Sequence, residues 1–112
     1  MENKKEILRQ YKDREIIGGV YIIRNMLNNK ILLESAVDLH SIKNRFEFSL
    51  KTGSCVSMKL QNDWIKQGGK QFVFEVLEEL KKDETQSVQK FKADIDILKK
   101  LRLEKMVNEK LY

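Results

Sequence analysis

Basic side chains in the middle of the chain are the first residues whose chemistry suggests a function. One of them, Arg45, carries a planar guanidinium fork that matches the oxygens of a phosphate group. If these side chains share one face, they can follow a phosphate backbone and give salt-dependent binding to nucleic acid. The alternative is an ordinary solvated helical surface. The residues concerned are Lys43, Arg45, Lys51, Lys59, Lys66 and Lys70.

The charge balance permits a nucleic-acid partner without requiring one. The chain of 112 residues has a formal net charge of +5. Residues 1–56 carry 10 basic and 7 acidic side chains, and residues 57–112 carry 12 and 10, so neither half forms a basic tail. A basic domain attracts phosphates, but many small lysine-rich domains are simply well solvated.

The single cysteine and single histidine exclude several kinds of site. Cys55 has no second cysteine with which to form an intrachain disulfide, and Cys55 and His40 are too few for a zinc finger. The N-terminal residues are charged, and no apolar run approaches the roughly 18 residues that span a membrane. We therefore expect a cytoplasmic protein without a membrane partner.

Three short apolar segments predict strands. β-branched and aromatic residues occupy 20–23, 31–33 and 72–77. The segment between the first two, 25–30, contains the pair Asn28-Asn29, which suits the left-handed conformations of tight hairpins. The first two strands are therefore predicted to form a β-hairpin.

Helical spacing of apolar residues predicts three helices around these strands. The first is predicted to be capped by Asp38 and to end at Gly53, and the second to end at Gly68-Gly69. The third is long and charged, and is predicted to run from about Glu84 to about Val107.

The predicted order is strand, strand, helix, helix, strand, helix. Three strands need helices to cover their apolar faces. We therefore predict a small α/β (α+β) fold with a three-stranded antiparallel sheet flanked by helices. The predicted division is an N-terminal helical or flexible arm at 1–16, a single domain at 17–107 and a C-terminal end at 108–112.

Several short motifs follow one another at characteristic separations along most of the chain. They are Gly19-Val20-Tyr21, Leu32-Leu33-Glu34, Asn44-Arg45, Leu60-Gln61-Asn62-Asp63-Trp64, then Gly68 or Gly69, Phe72-Val73-Phe74-Glu75-Val76-Leu77, and Glu104 on the last helix. This series resembles the GIY-YIG nuclease superfamily, in particular its short stand-alone bacterial members. Each motif is weak by itself, and the specificity lies in their order across about residues 17–107.

The resemblance implies metal-dependent hydrolysis of a phosphodiester in DNA. By this resemblance Glu104 would bind Mg²⁺ or Mn²⁺, Arg45 would hold the scissile phosphate, and Tyr21 would orient or deprotonate the attacking water. Separately from the resemblance, Lys43, Lys51 and Lys59 would join Arg45 in binding the nucleic acid if they share a face with it. Taken from the residues alone, Tyr21 is a core ring of the sheet, Arg45 a solvated side chain and Glu104 part of an exposed helical ion pair.

The second motif departs from the family pattern. Leu32 stands where the family commonly has a residue with an aromatic hydroxyl, and Glu34 stands where the family has a glycine. A carboxylate beside a phosphate pocket repels the substrate unless a metal or a cation neutralises it. Two interpretations stay open: Glu34 is a second metal ligand beside Glu104, or the nuclease site is weakened or lost.

Two functions of different classes therefore follow from the sequence. The first is a GIY-YIG-like DNA endonuclease with weakened or lost activity, which would use Mg²⁺ or Mn²⁺ if it is active. The second is a non-catalytic nucleic-acid-binding or protein-interaction module that retains only the fold. The leucine-rich last helix, with its alternating charge, also predicts that a homodimer can form.

Overall fold

The computed structural model describes residues 15–55 and 57–112. Its elements confirm the predicted order of strands and helices. Most of the predicted N-terminal arm at 1–16 lies outside the described residues. The elements are β1 (Ile17–Asn25), β2 (Ile31–Ala36), α1 (Leu39–Thr52), α2 (Gln61–Gln67), a 3₁₀ turn (Gly69–Gln71), β3 (Phe72–Lys81) and α3 (Val88–Lys105).

The sheet has three strands in the order β2-β1-β3, and both outer strands run antiparallel to β1. β1 lies in the middle because its residues are apolar on both faces. Val20 and Ile22 point to one side of the sheet, Tyr21 and Ile23 point to the other, and all four are buried. The α+β fold with a three-stranded antiparallel sheet is confirmed.

The two faces of the sheet pack against different helices. On one face, Tyr21 and Ile23 pack with Phe46 of α1 and Trp64 of α2. On the other face, the cluster that contains Val20 and Ile22 packs against Leu98 of α3 and Met106 just beyond it. The molecule is therefore a three-layer sandwich in which α1 and α3 lie on opposite sides of the sheet.

The predicted turn and helix-end residues adopt the expected conformations. Asn29 in the hairpin turn has φ 61°. The Asp38 carboxylate accepts a hydrogen bond from the Ser41 backbone N–H at 3.3 Å, and so caps the first turn of α1. Gly53 ends α1 with φ 78°, a left-handed conformation that glycine adopts without steric cost.

Helix α3 is shorter than the sequence predicted. It begins at Val88 because Ser87 caps its first turn, with the Lys90 N–H donating to Ser87 Oγ at 3.2 Å. Before it, the Thr85 N–H donates to Asp83 Oδ1 at 3.0 Å, a local turn that competes with a longer helix. Within the described part of the chain no helix, α3 included, is both long and apolar enough to cross a membrane.

Residues 108–112, the C-terminal end of the predicted division, pack onto the sheet. The Ile31 N–H donates to the Lys110 carbonyl at 2.8 Å, and the Tyr112 N–H donates to the Ile31 carbonyl at 3.0 Å. The Tyr112 hydroxyl donates to Asp63 Oδ2 at 2.7 Å and accepts from Nδ2 of the fully buried Asn25 at 2.9 Å. This network ties the chain's last residues to the hairpin and to α2.

Removing the Tyr112 hydroxyl is expected to destabilise the fold. Tyr112→Phe leaves the buried Asn25 amide with one acceptor fewer, at a cost of about 1–2 kcal/mol in the free energy of unfolding. The hydrogen bond from Tyr112 is the main cause that lowers the Asp63 pKa. A lowered carboxyl pKa stabilises the folded state above about pH 4, and this contribution is lost as the pH falls. The variant should therefore lose less stability on acidification than the wild type does.

Urea unfolding at pH 7 and at pH 3 checks this expectation. Asp63→Asn and the double variant Asp63→Asn/Tyr112→Phe complete a double-mutant cycle. Additive effects of the two single changes would show that Asp63 and Tyr112 do not interact in solution.

Candidate functional site

A cavity of about 180 Å³ opens between β1, β2 and α1. We call it the β1–α1 pocket. Apolar side chains form about half of its wall, and Tyr21, Glu34, Arg45 and Ser57 contribute polar atoms. The structure thus brings together three of the residues that the sequence singled out, Tyr21, Glu34 and Arg45. The apolar lining residues are Ile23, Leu32, Ile42 and Phe46.

Tyr21 and Glu34 lie opposite each other on the neighbouring strands β1 and β2. They are cross-strand partners in the β1–β2 register, so their side chains lie on the same face of the sheet. The Tyr21 ring stacks on Phe74 with a centroid distance of 4.9 Å. Its hydroxyl forms no hydrogen bond to another described residue. The pairing of β1 with β3 shifts register between Val20 and Tyr21, so that Tyr21 pairs with Val76.

The environment of Tyr21 favours its neutral form. Burial raises the pKa of the Tyr21 hydroxyl, the nearby Glu34 carboxylate raises it further, and Arg45 partly offsets both effects. The phenol therefore stays protonated near neutral pH. Of the two roles that the resemblance implies, orienting a water through the O–H fits this environment better than removing a proton from it.

Arg45 lies on the flank of α1 that borders the pocket. Phe46 and Ser49 turn inward and are buried, which leaves Arg45 exposed beside them. It forms no ion pair with another described residue. A guanidinium in this position can offer its fork of N–H donors to an anion that enters the pocket.

Glu34 is held between two lysines. Its Oε2 atom lies 3.3 Å from Lys99 Nζ of α3, and its Oε1 atom lies 3.9 Å from Lys59 Nζ in the turn before α2. All three side chains are partly exposed, so each ion pair contributes at most about 1 kcal/mol to stability. The pairs nevertheless neutralise the carboxylate locally, and this reduces the repulsion that Glu34 would exert on a phosphate.

The predicted nucleic-acid-binding residues do not all share one face. Arg45 borders the pocket, and Lys59 lies at the edge of the pocket, where it forms an ion pair with Glu34. Lys43 lies two residues before Arg45, which places it about 200° around the α1 axis, and it lines a different cleft toward β3. Lys51 is exposed in the last turn of α1, six residues after Arg45 and again on another flank.

Glu104 does not reach the β1–α1 pocket. Ile95 of α3 is buried against the sheet, and Glu104 follows it by nine residues, or about two and a half helical turns, so it points away from the sheet. The side chains by which α3 contacts β2 near the pocket are Asp96 and Lys99, and Glu104 lies more than one helical turn beyond them. The assignment of Glu104 as a metal ligand stays a prediction, and the position of Glu104 does not support it.

The acidic residues near the pocket do not fit a divalent metal ion. Both carboxylate oxygens of Glu34, the one acidic side chain in the pocket wall, face lysine ammonium groups. Asp96 of α3 also reaches β2, but its Oδ1 atom accepts a hydrogen bond from Ser35 Oγ at 3.4 Å. Across residues 15–55 and 57–112 no group of three Asp, Glu, His or Cys side chains could hold a metal ion.

Sequence reasoning missed Lys99 as part of this site. Lys99 is one of many lysines on α3, and 65 residues separate it from Glu34 in the chain. Its only local signal is helical spacing: Lys99 lies four residues after the buried Ile95, on the edge of the face that covers the sheet. The cross-strand pairing of Glu34 with Tyr21 likewise could not be predicted without the register of the hairpin.

Comparison with known proteins gives a similarity to solved structures. A structure of the catalytic domain of the homing endonuclease I-TevI is 32% identical, with 72% of this chain and 87% of that chain covered and a TM-score of 0.47. A structure of a glutamate-to-alanine mutant of the same domain is 31% identical, with 74% and 84% covered and a TM-score of 0.47. No protein-family model matches the chain, and no curated protein matches it.

Proposed function

We propose that this member of the GIY-YIG nuclease superfamily binds DNA through the β1–α1 pocket and has a weakened or lost capacity to hydrolyse the phosphodiester. The chain belongs to this superfamily by its ordered motifs and by its 32% identity over 87% of an endonuclease catalytic domain. Placement among the short stand-alone bacterial members is part of the same proposal, and it rests on the motifs alone.

The observation that carries this proposal is the convergence of Tyr21 and Arg45 in one pocket. Arg45 is exposed and has no ion-pair partner among the described residues, so its fork is available to a phosphate oxygen. The protonated Tyr21 hydroxyl supplies a second donor from the pocket wall. Lys59 at the pocket edge adds positive charge along the path of an entering backbone.

The same pocket supports weakened catalysis. Phosphodiester hydrolysis requires an activated water and stabilisation of the developing charge, which a metal ion commonly supplies. Glu104 points away from the pocket and Glu34 is engaged by lysines, so neither is placed to hold a divalent ion there. Leu32 in the pocket wall contributes no hydroxyl. Binding of the substrate is therefore better supported than its cleavage.

Cleavage and binding of labelled single-stranded and duplex DNA, measured in the same buffers with Mg²⁺ or Mn²⁺, test the proposal. We expect salt-sensitive binding with weak cleavage or none. Metal-dependent cleavage that is lost in Glu104→Ala would show that Glu104 acts as a metal ligand after all and that catalysis survives. Absence of both binding and cleavage would contradict the proposal and favour a protein-interaction module.

Removing the charge of Glu34 is expected to strengthen DNA binding. Glu34→Gln keeps the side-chain volume but releases Lys59 and Lys99 from the carboxylate. At low salt we expect an affinity about tenfold higher and a slope of log Kd against log salt that is steeper by about one to two. Glu34→Gly, which also opens space in the pocket, should raise the affinity at least as much.

Glu75→Gln is the matched control for this change. Glu75 also pairs with one cation at 3.9 Å, Arg24, but it lies outside the pocket wall. Fluorescence anisotropy over a salt series measures all three variants against the wild type. Equal effects of Glu34→Gln and Glu75→Gln would mean that only net charge changed, and that Glu34 does not restrain the pocket.

A further inference from the structure

A second cavity, of about 450 Å³, adjoins the β1–α1 pocket at Arg45. Arg45 lines both cavities, so its guanidinium lies between them. We call this second cavity the Phe48 cleft. Its walls come from the end of α1 and the segment that follows it, and its lining residues are Asn44, Arg45, Phe48, Ser49, Ser54 and Cys55.

Phe48 is unusually placed for a phenylalanine. Its side chain is 66% exposed, although the other aromatic residue of α1, Phe46, is buried in the core. Phe48 lies three residues after Arg45, a spacing that puts both side chains on the same side of the helix. The sequence therefore presents an exposed aromatic ring next to the arginine that borders both cavities.

We propose that the Phe48 cleft binds an unpaired nucleobase next to the phosphate held by Arg45, so that the substrate is DNA with a single-stranded or unpaired nucleotide at that position. This inference rests on the proposed function. An aromatic ring stacks on any base, because every base has a π face, while an adjacent cation holds the backbone. Asn44 and Ser54 at the cleft supply polar groups that can contact the edge of the base.

The character of the cleft favours a base over a protein partner. A stable protein interface buries about 800 Å² on each partner around an apolar core. Phe48 is instead a single ring among polar lining residues, next to a guanidinium. A base joined to a phosphate matches both features at once, since its apolar face meets Phe48 and its charge meets Arg45.

Duplex DNA cannot present a base to this cleft without breaking a base pair. Bases in a duplex are stacked inside the helix, and unstacking one costs a few kcal/mol. The proposal thus separates two kinds of contact. Arg45 should act on every DNA, whereas Phe48 should act only where a base is free to leave the stack.

Anisotropy titrations with three labelled DNAs test this inference: a single strand, a fully paired duplex, and the duplex with one unpaired nucleotide. Phe48→Ala should weaken binding to the first and third by about tenfold or more and change duplex binding less than twofold. Phe48→Tyr keeps the ring and should retain the affinity. Ile97→Ala, which removes an apolar side chain that is 57% exposed on α3, is the matched control.

The outcomes distinguish this inference from the proposed function. Suppose that the wild type binds all three DNAs and that Phe48→Ala leaves this binding unchanged or weakens it equally for all three. The proposed role of the Phe48 cleft would then be overturned, while the proposed function stands. Loss of affinity in Phe48→Tyr as large as in Phe48→Ala would also overturn it, because the ring would then not be the binding element. Failure of the wild type to bind any of the three DNAs would overturn both.

Discussion

Replacing Arg45 with alanine is expected to weaken binding to every DNA by at least about tenfold, and to abolish any cleavage that the wild type retains. The guanidinium borders the β1–α1 pocket and the Phe48 cleft, so its loss removes the charge that joins them. The slope of log Kd against log salt should fall by about one, as expected when one phosphate contact is lost.

The same change should hardly affect folding. Arg45 is exposed and makes no ion pair with another described residue, so the free energy of unfolding should stay within about 0.5 kcal/mol of the wild type. Lys43→Ala is the matched control: it removes the same charge two residues away, on the flank of α1 that lines another cleft. A Lys43→Ala variant as impaired as Arg45→Ala would show that the positive charge of α1, and not the pocket, binds DNA.

Replacing Gly19 with alanine is expected to destabilise the protein by about 3 kcal/mol or more. A Cβ atom at this position would overlap the backbone carbonyl oxygen of Glu78 and lie 2.8 Å from its carbonyl carbon. Backbone atoms of a paired strand cannot move aside as a flexible side chain can. The glycine of the first motif is therefore required for β1 to approach β3, which in turn places Tyr21 against Phe74.

Gly53→Ala provides the comparison for this prediction. Gly53 has φ 78°, and a Cβ atom added there would have open space on every side to a distance of 4 Å. Alanine at this position should therefore cost only the strain of a left-handed conformation, about 1–2 kcal/mol. Thermal or denaturant unfolding followed by circular dichroism measures both variants. Similar losses for Gly19→Ala and Gly53→Ala would mean that β1 and β3 can separate enough to admit a side chain.

The parts of the fold that sequence could predict are those governed by local chemistry. Runs of β-branched and aromatic residues located β1 and β2, the Asp38 carboxylate located the start of α1, and Gly53 located its end. Each of these depends on neighbours within one turn or one hairpin. The start of α3 was misplaced because Asp83 forms a local turn and Ser87 caps the helix, and helical periodicity reveals neither hydrogen bond.

The candidate site was predictable only in part. Tyr21 and Arg45 were identified from motif order, and the structure places them in one pocket. The orientation of Glu104 depends on which face of α3 meets the sheet, and that face is fixed by the buried Ile95 and by Leu98, which packs against the sheet. The neutralisation of Glu34 by Lys99 depends on packing across 65 residues, which no local pattern encodes.

The two edges of the sheet limit how copies of this chain could associate. The outer edge of β2 is partly covered by the isolated bridge between Ile31 and Leu111. β3, which in the described part of the chain pairs with β1 alone, carries charged side chains at Glu75, Glu78, Glu79 and Lys81. Covered and charged edges both oppose the addition of a foreign strand. Growth of a continuous intermolecular sheet is therefore disfavoured, and the predicted homodimer would have to use helix surfaces such as the exposed Ile97 and Leu101 of α3.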